Sequence, residues 1–163
     1  MSISASRPHG FLLFLLKLPV HIYRLKMGWV LGHRFLMLTH RGRKSGKVRQ
    51  TVLEVVAYDR ARRESFVASG WGTTTDWYRN IEAAPALAIQ TGTARYRPVQ
   101  HFLSQDENLQ ALMMFKRKHP FEVRLALRLF GVEGKGTLDE RIANFAGSVN
   151  MVSFRPRKAA SPE

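Results

Sequence analysis

Five cationic side chains stand within nine residues, Arg41, Arg43, Lys44, Lys47 and Arg49, and two glycines, Gly42 and Gly46, stand among them. Glycine lets backbone N–H groups come close to phosphate oxygens, and guanidinium and ammonium groups add charge-assisted hydrogen bonds, so this turn has the chemistry of an anion site. Charge alone does not separate the phosphate of a cofactor from that of nucleic acid or lipid, and a solvated basic turn has the same composition. Downstream lie Gly70-Trp71-Gly72 and then Asp76-Trp77-Tyr78-Arg79-Asn80-Ile81. Trp71, Trp77 and Tyr78 offer flat faces against which a ring or a base could stack.

Other chemistries fail on spacing. Gly42-Arg-Lys-Ser-Gly46-Lys47-Val48 is one residue short of a P-loop, with Val48 where Ser or Thr must reach magnesium. Gly70-Trp71-Gly72 opens like a dinucleotide fingerprint, but Thr75 replaces the third glycine. The six histidines form no H-E-x-x-H pair, so no metal site is expected. His101 near Ser104 lacks an evident orienting acid for a hydrolase. With no cysteine there is no disulfide scaffold, thiolate zinc site or catalytic thiol.

The elements that must position the basic turn follow from periodicity. The chain has 163 residues, 45% of them hydrophobic, enough for one domain with its own core. Arg34 to Thr39 and Val48 to Tyr58 alternate as strands on either side of the turn, and Glu64 to Ser69 reads as a third. A short helix over 76–81 stops near Pro85. Leu87 to Thr91 and Ala94 to Leu103 form a hairpin about Gly92, interrupted by Pro98. Ser104-Gln-Asp-Glu107 and Thr137-Leu-Asp-Glu140 are capping boxes that start helices over 105–118 and 138–146. Another helix lies between Pro120 and Phe130, and Val149 to Phe154 is the last strand. Strands first and helices late predict an α+β β-barrel with peripheral helices.

The charge has consequences for partners. Lys and Arg number 26 against 12 Asp and Glu, a net +14, and no acidic residue precedes Glu54. Such an excess favours polyanionic partners. Residues 11–31 read as a basic amphipathic helix whose six-residue apolar run, Phe11 to Leu16, is far too short to span a bilayer. The helix would pack on its own domain or lie on an anionic membrane surface. The chain divides into this N-terminal segment (1–32), a barrel domain (33–156) and a frayed tail (157–163).

Taken together, Gly42-Arg43-Lys44-Ser45-Gly46 with Arg49, Val67-Ala68-Ser69-Gly70-Trp71-Gly72 and Asp76-Trp77-Tyr78-Arg79-Asn80-Ile81 with Pro85 resemble the deazaflavin (coenzyme F-420)-dependent nitroreductase and quinone reductase family. The resemblance covers residues 33–103 in register. It implies a split β-barrel of the flavin-mononucleotide-binding type, reduced deazaflavin as cofactor (flavin mononucleotide being the less favoured one), and hydride transfer to a small acceptor such as a quinone or nitro compound. It places Arg43, Lys44, Ser45, Gly46 and Arg49 on the coenzyme's phosphate and glutamate tail, Ala68, Ser69 and Gly70 under the ring, and Trp77 and Asn80 beside it. No catalytic residue is singled out; Tyr78, His101 or water could protonate the acceptor. The late helical stretch Met113-Met114-Phe115 contains no tyrosine, so an acceptor pocket there would be apolar. The expected partner is a small molecule, not nucleic acid, with a homodimer and peripheral membrane contact through residues 11–31 left open. The expected location is the cytoplasm, or the inner face of the membrane. The alternatives are a basic barrel that binds nucleic acid and a membrane-peripheral flavin, haem or lipid binder.

Overall fold

A computed structural model describes residues 32–69, 75–129, 131–132 and 135–157. The helix expected over 11–31, the Gly70-Trp71-Gly72 loop and the tail beyond Arg157 fall outside the described residues. Among the described residues, no helix is long and apolar enough to cross a membrane.

Seven strands form one antiparallel order, β5-β4-β1-β2-β3-β7-β6. They are β1 (Phe35–Arg41), β2 (Val48–Asp59), β3 (Glu64–Ser69), β4 (Ala88–Thr91), β5 (Ala94–Tyr96), β6 (Pro98–Phe102) and β7 (Asn150–Pro156). β5 and β6 stand at opposite ends of that order, yet only Arg97 separates them in the chain. One run of chain therefore joins both edges and nearly closes the barrel. The break falls where Pro98, lacking an N–H, can only begin a strand. The last strand extends to Pro156, two residues past the predicted end, because Arg155 and Pro156 pair with Val99 and Pro98.

Four helices complete the molecule: α1 (Asp76–Ala83), α2 (Gln105–Lys118), α3 (Pro120–Leu129) and α4 (Leu138–Ser148). Both predicted capping boxes form, with Ser104 and Thr137 accepting from the N–H of Glu107 and Glu140 while each glutamate returns to the capping residue's N–H.

β3 is buried along its whole length and separates two cores. Its Val67 side joins Leu36, Leu38, Ile89, Val152 and Phe154 inside the barrel, closed by Trp77, Tyr78 and Ile81 of α1. Its Phe66 and Ala68 side joins Leu112, Phe115, Val123, Leu127, Ile142 and Phe145 in a layer under α2, α3 and α4. A strand covered on both faces cannot show the hydrophobic-in, polar-out alternation of a half-exposed one. β2 meets the helical layer through a bulge between Val55 and Ala57, which lets the consecutive residues Val56 and Ala57 both be buried there. The fold is thus a nearly closed antiparallel barrel with peripheral helices, as the strand and helix order predicts.

Candidate functional site

The basic turn joins β1 to β2 and closes on itself. The Gly42 N–H donates to the Lys47 carbonyl at 2.8 Å and the Gly46 N–H to the Gly42 carbonyl at 2.8 Å. Arg41 Nη1 donates to the Gly46 carbonyl at 2.8 Å. Gly46 has φ of +66°, a left-handed conformation that side chains rarely adopt. A Cβ on Gly42 would stand 2.7 Å from Ser45 Oγ and 3.2 Å from Arg49 Nε, so the missing side chain leaves the hollow inside the turn.

Between this turn, the first residues of β2 and the start of α1 lies a cleft of about 470 Å³. Arg43, Lys44, Ser45, Arg49, Trp77 and Asn80 line it, joined by His40, Thr51 and Asp76. Six of the ten residues the family resemblance suggests are therefore brought to one place, and Gly46 shapes the turn beside them. Ala68 is not brought there: its side chain faces the helical layer. Ser69 is fully buried, its hydroxyl 2.8 Å from that of Thr75 at the start of α1. Gly70 lies outside the described residues.

Asn80 is the hub of the cleft floor. Its Oδ1 accepts from the Arg43 backbone N–H at 3.0 Å and from Arg43 Nη1 at 3.0 Å. Its Nδ2 lies 3.2 Å from His40 Nδ1, and His40 Nε2 lies 3.1 Å from Thr51 Oγ1. Arg43 Nη1 also pairs with Asp76 Oδ1 at 2.9 Å. That bond, and the Arg43 charge behind it, hold the Asp76 carboxyl below the usual carboxylate range. The Arg43 guanidinium is thus committed to α1, a scaffold role that the sequence alone does not suggest. Lys44 and Arg49 have no ion-pair partner among the described residues and present free charge to the cleft.

His40 and Thr51 lie outside the quoted motifs, and Asp76, though it opens one of them, is not among the ligands the resemblance implies. Strand periodicity carried a signal for His40: it follows Leu36 and Leu38 at intervals of two, on the face that points into the barrel. Asp76 brings an acidic charge into a basic cleft, and its role there follows from its pairing with Arg43. Replacing it should release Arg43 and remove a repulsive charge. Asp76→Asn is expected to strengthen binding of inorganic pyrophosphate about two- to fivefold at low ionic strength, the range for an exposed pair, and less with added salt. Calorimetric titrations at two salt concentrations check this; unchanged affinity at low salt would contradict it.

Adjacent aromatic residues part company in α1. Both are buried in the barrel core, but Trp77 also lines the cleft, whereas Tyr78 stands edge-on to Phe102 at 5.4 Å and does not. Burial, and behind it the Glu82 charge, push the Tyr78 phenol up, away from use as an acid. His101 does meet a carboxylate, Glu107 Oε1 at 2.9 Å, on the exposed start of α2, but Ser104 Oγ accepts the Glu107 N–H and completes the capping box. No hydrolase relay results. Phe115 and Met113 pack with the helical layer and do not line the cleft.

Residues 16–123, more than half of the chain, match the sequence profile described as F420H2-dependent quinone reductase. No curated protein matches the chain. Among solved structures it is similar to an F420-H2 dependent reductase (FDR-A), at 16% identity and a TM-score of 0.48, over 75% of this chain and 94% of that one. It is similar to a domain-swapped dimer at 15% identity and a TM-score of 0.49, covering 84% of this chain and 99% of that one. It is also similar to HutZ, the haem storage protein of Vibrio cholerae, at 12% identity and a TM-score of 0.46, covering 84% and 90%. At these identities none of the three carries a ligand or an acceptor over to this chain.

Proposed function

The chain belongs to the F420H2-dependent quinone reductase family, and is an F420-dependent oxidoreductase whose cofactor is reduced F420; from that premise we propose that the cleft beside the Gly42–Lys47 turn holds the anionic arm of the coenzyme while a hydride passes to a small electrophile such as a quinone or nitro compound. The observation that carries this reading is the pair of cations, Lys44 and Arg49, without an ion-pair partner among the described residues and flanking a turn whose hollow a Cβ on Gly42 would fill. A phosphodiester with glutamates attached needs more positive charge than one terminal phosphate, and the residues present fit such an arm.

When bound, the coenzyme supplies the hydride; the organic chemistry is its own. The chain's part is to bind and to orient. Lys44 and Arg49 would hold anionic oxygens by charge-assisted hydrogen bonds. Asn80 and Arg43 keep the turn seated on α1. Trp77 offers a flat wall on the α1 side of the cleft. Neither Tyr78 nor His101 lines the cleft, so neither takes part in holding the arm.

Side-by-side titrations with F420 and flavin mononucleotide test the assignment. F420 is expected to bind more tightly, because only its arm uses both Lys44 and Arg49 along the turn. Equal or tighter binding of flavin mononucleotide would overturn the assignment.

A further inference from the structure

His40 brings no charge to the cleft, belongs to none of the motifs, and is only 2% exposed. Its ring bridges two side chains, and the direction of each bond follows from its neighbours. Asn80 Oδ1 is occupied by two donors of Arg43, so the amide's oxygen and nitrogen cannot be exchanged and Nδ2 must point at His40. An NH2 group only donates, hence His40 Nδ1 accepts. The ring proton then sits on Nε2 and is donated to Thr51 Oγ1. That bonding pattern assigns a neutral imidazole with its proton on Nε2.

We propose that His40 is a positioning residue of this cleft: by accepting at Nδ1 it fixes the Asn80 amide, and Asn80 Oδ1 in turn holds the basic turn through the Arg43 backbone N–H and guanidinium. The inference rests on the reading of the cleft as the coenzyme site and adds to it a built-in sensitivity to acid. Protonating Nδ1 would set an N–H against the Asn80 NH2. The amide must then turn away, and its oxygen leaves Arg43.

The charged groups around His40 are Arg41 beside it in β1, Arg49 opposite it in β2, Arg43 in the turn, and Asp76 in α1. Burial, and then the Arg49 charge, hold the His40 imidazole below its ordinary value of 6.5; the Arg41 backbone and Asp76 pull the other way with less effect. Because the fold favours the neutral ring, the unfolded chain binds more protons below 6.5. The stabilisation is complete above 6.5 and is lost as pH falls from there through the lower pKa of the folded state.

The test compares the wild type with His40→Asn and His40→Leu. Asn places an amide oxygen near the position of Nδ1 that accepts but does not titrate; Leu fills space and accepts nothing. In the unliganded wild type, imidazole nitrogen shifts should report the Nε2–H tautomer, and the Arg43 amide should be protected from hydrogen exchange. Coenzyme affinity, followed by calorimetry from about pH 8 to about pH 5, should fall together with that protection. His40→Asn should keep the affinity found at high pH and lose the acid-side fall. His40→Leu should bind roughly tenfold more weakly at all pH values, with turnover at saturating coenzyme changed far less. An Nδ1–H tautomer, wild-type Arg43 protection in His40→Leu, or His40→Asn behaving as His40→Leu would each overturn the proposal. If the wild type failed to bind coenzyme while His40→Leu still exposed the Arg43 amide, the coenzyme reading would fall and the positioning of the turn by His40 would stand.

Discussion

Lys44→Ala and Arg49→Ala are each expected to weaken coenzyme binding by about 10- to 150-fold, the equivalent of roughly 1.5–3 kcal/mol for a hydrogen bond to a charged group. Both side chains line the cleft without an ion-pair partner among the described residues, so removing either breaks nothing inside the fold. Stability should change by no more than about 0.5 kcal/mol. The loss should appear in affinity and not in turnover at saturating coenzyme, because groups that grip the arm hold ground and transition states alike. Arg43→Ala should behave differently. Its guanidinium links the turn to Asp76 and Asn80, so its removal loosens the site and lowers affinity through position instead of charge. Coenzyme titration of the three variants at two ionic strengths checks the distinction. Lys44→Ala and Arg49→Ala with wild-type affinity would remove the coenzyme's arm from this cleft.

The largest effect on stability is expected from Phe154→Ala, at about 3–5 kcal/mol. Phe154 is fully buried in the barrel interior, in one cluster with Trp77, Tyr78 and Ile81. Truncation leaves a cavity that β7 cannot close by moving, since the strand is paired to β3 on one side and β6 on the other. The cavity lies in the core that seats α1, so Asn80 and the turn should become less well placed and coenzyme affinity should drop as well. Phe154→Leu keeps most of the volume and should cost far less. Denaturant unfolding should show a lower midpoint with unchanged slope; a loss below about 1 kcal/mol in Phe154→Ala would mean that the interior is not tightly packed around this ring.

These two predictions draw on different levels of the molecule. The order of elements and most of their limits are legible along the chain, because short-range chemistry sets them. Ser104 and Thr137 with their glutamates start helices by satisfying local donors, Gly46 permits a turn that only a residue tolerant of positive φ can make, and Pro98 breaks the β5–β6 run for want of an N–H. The local density of Arg and Lys around Gly42 likewise marked the basic turn that borders the cleft. What each of those side chains does was decided only by tertiary structure. Arg43 and Lys44 are neighbours in one turn, yet Arg43 is bound to α1, thirty-three residues further on at Asp76, while Lys44 has no ion-pair partner among the described residues. Trp77 and Tyr78 are neighbours in one helix and both pack in the barrel core, yet only Trp77 also reaches the cleft. Ala68 was placed by resemblance near a ring, but the alternation of β3 between two cores turns it to the helical layer. His40 is one polar residue in a strand by sequence, and only the fold sets its ring against the Asn80 amide, forty positions away. The reason is common to all four: which face a strand or helix residue shows, and which distant group it meets there, depends on packing between elements far apart in the chain, and no local pattern of residue types encodes that meeting.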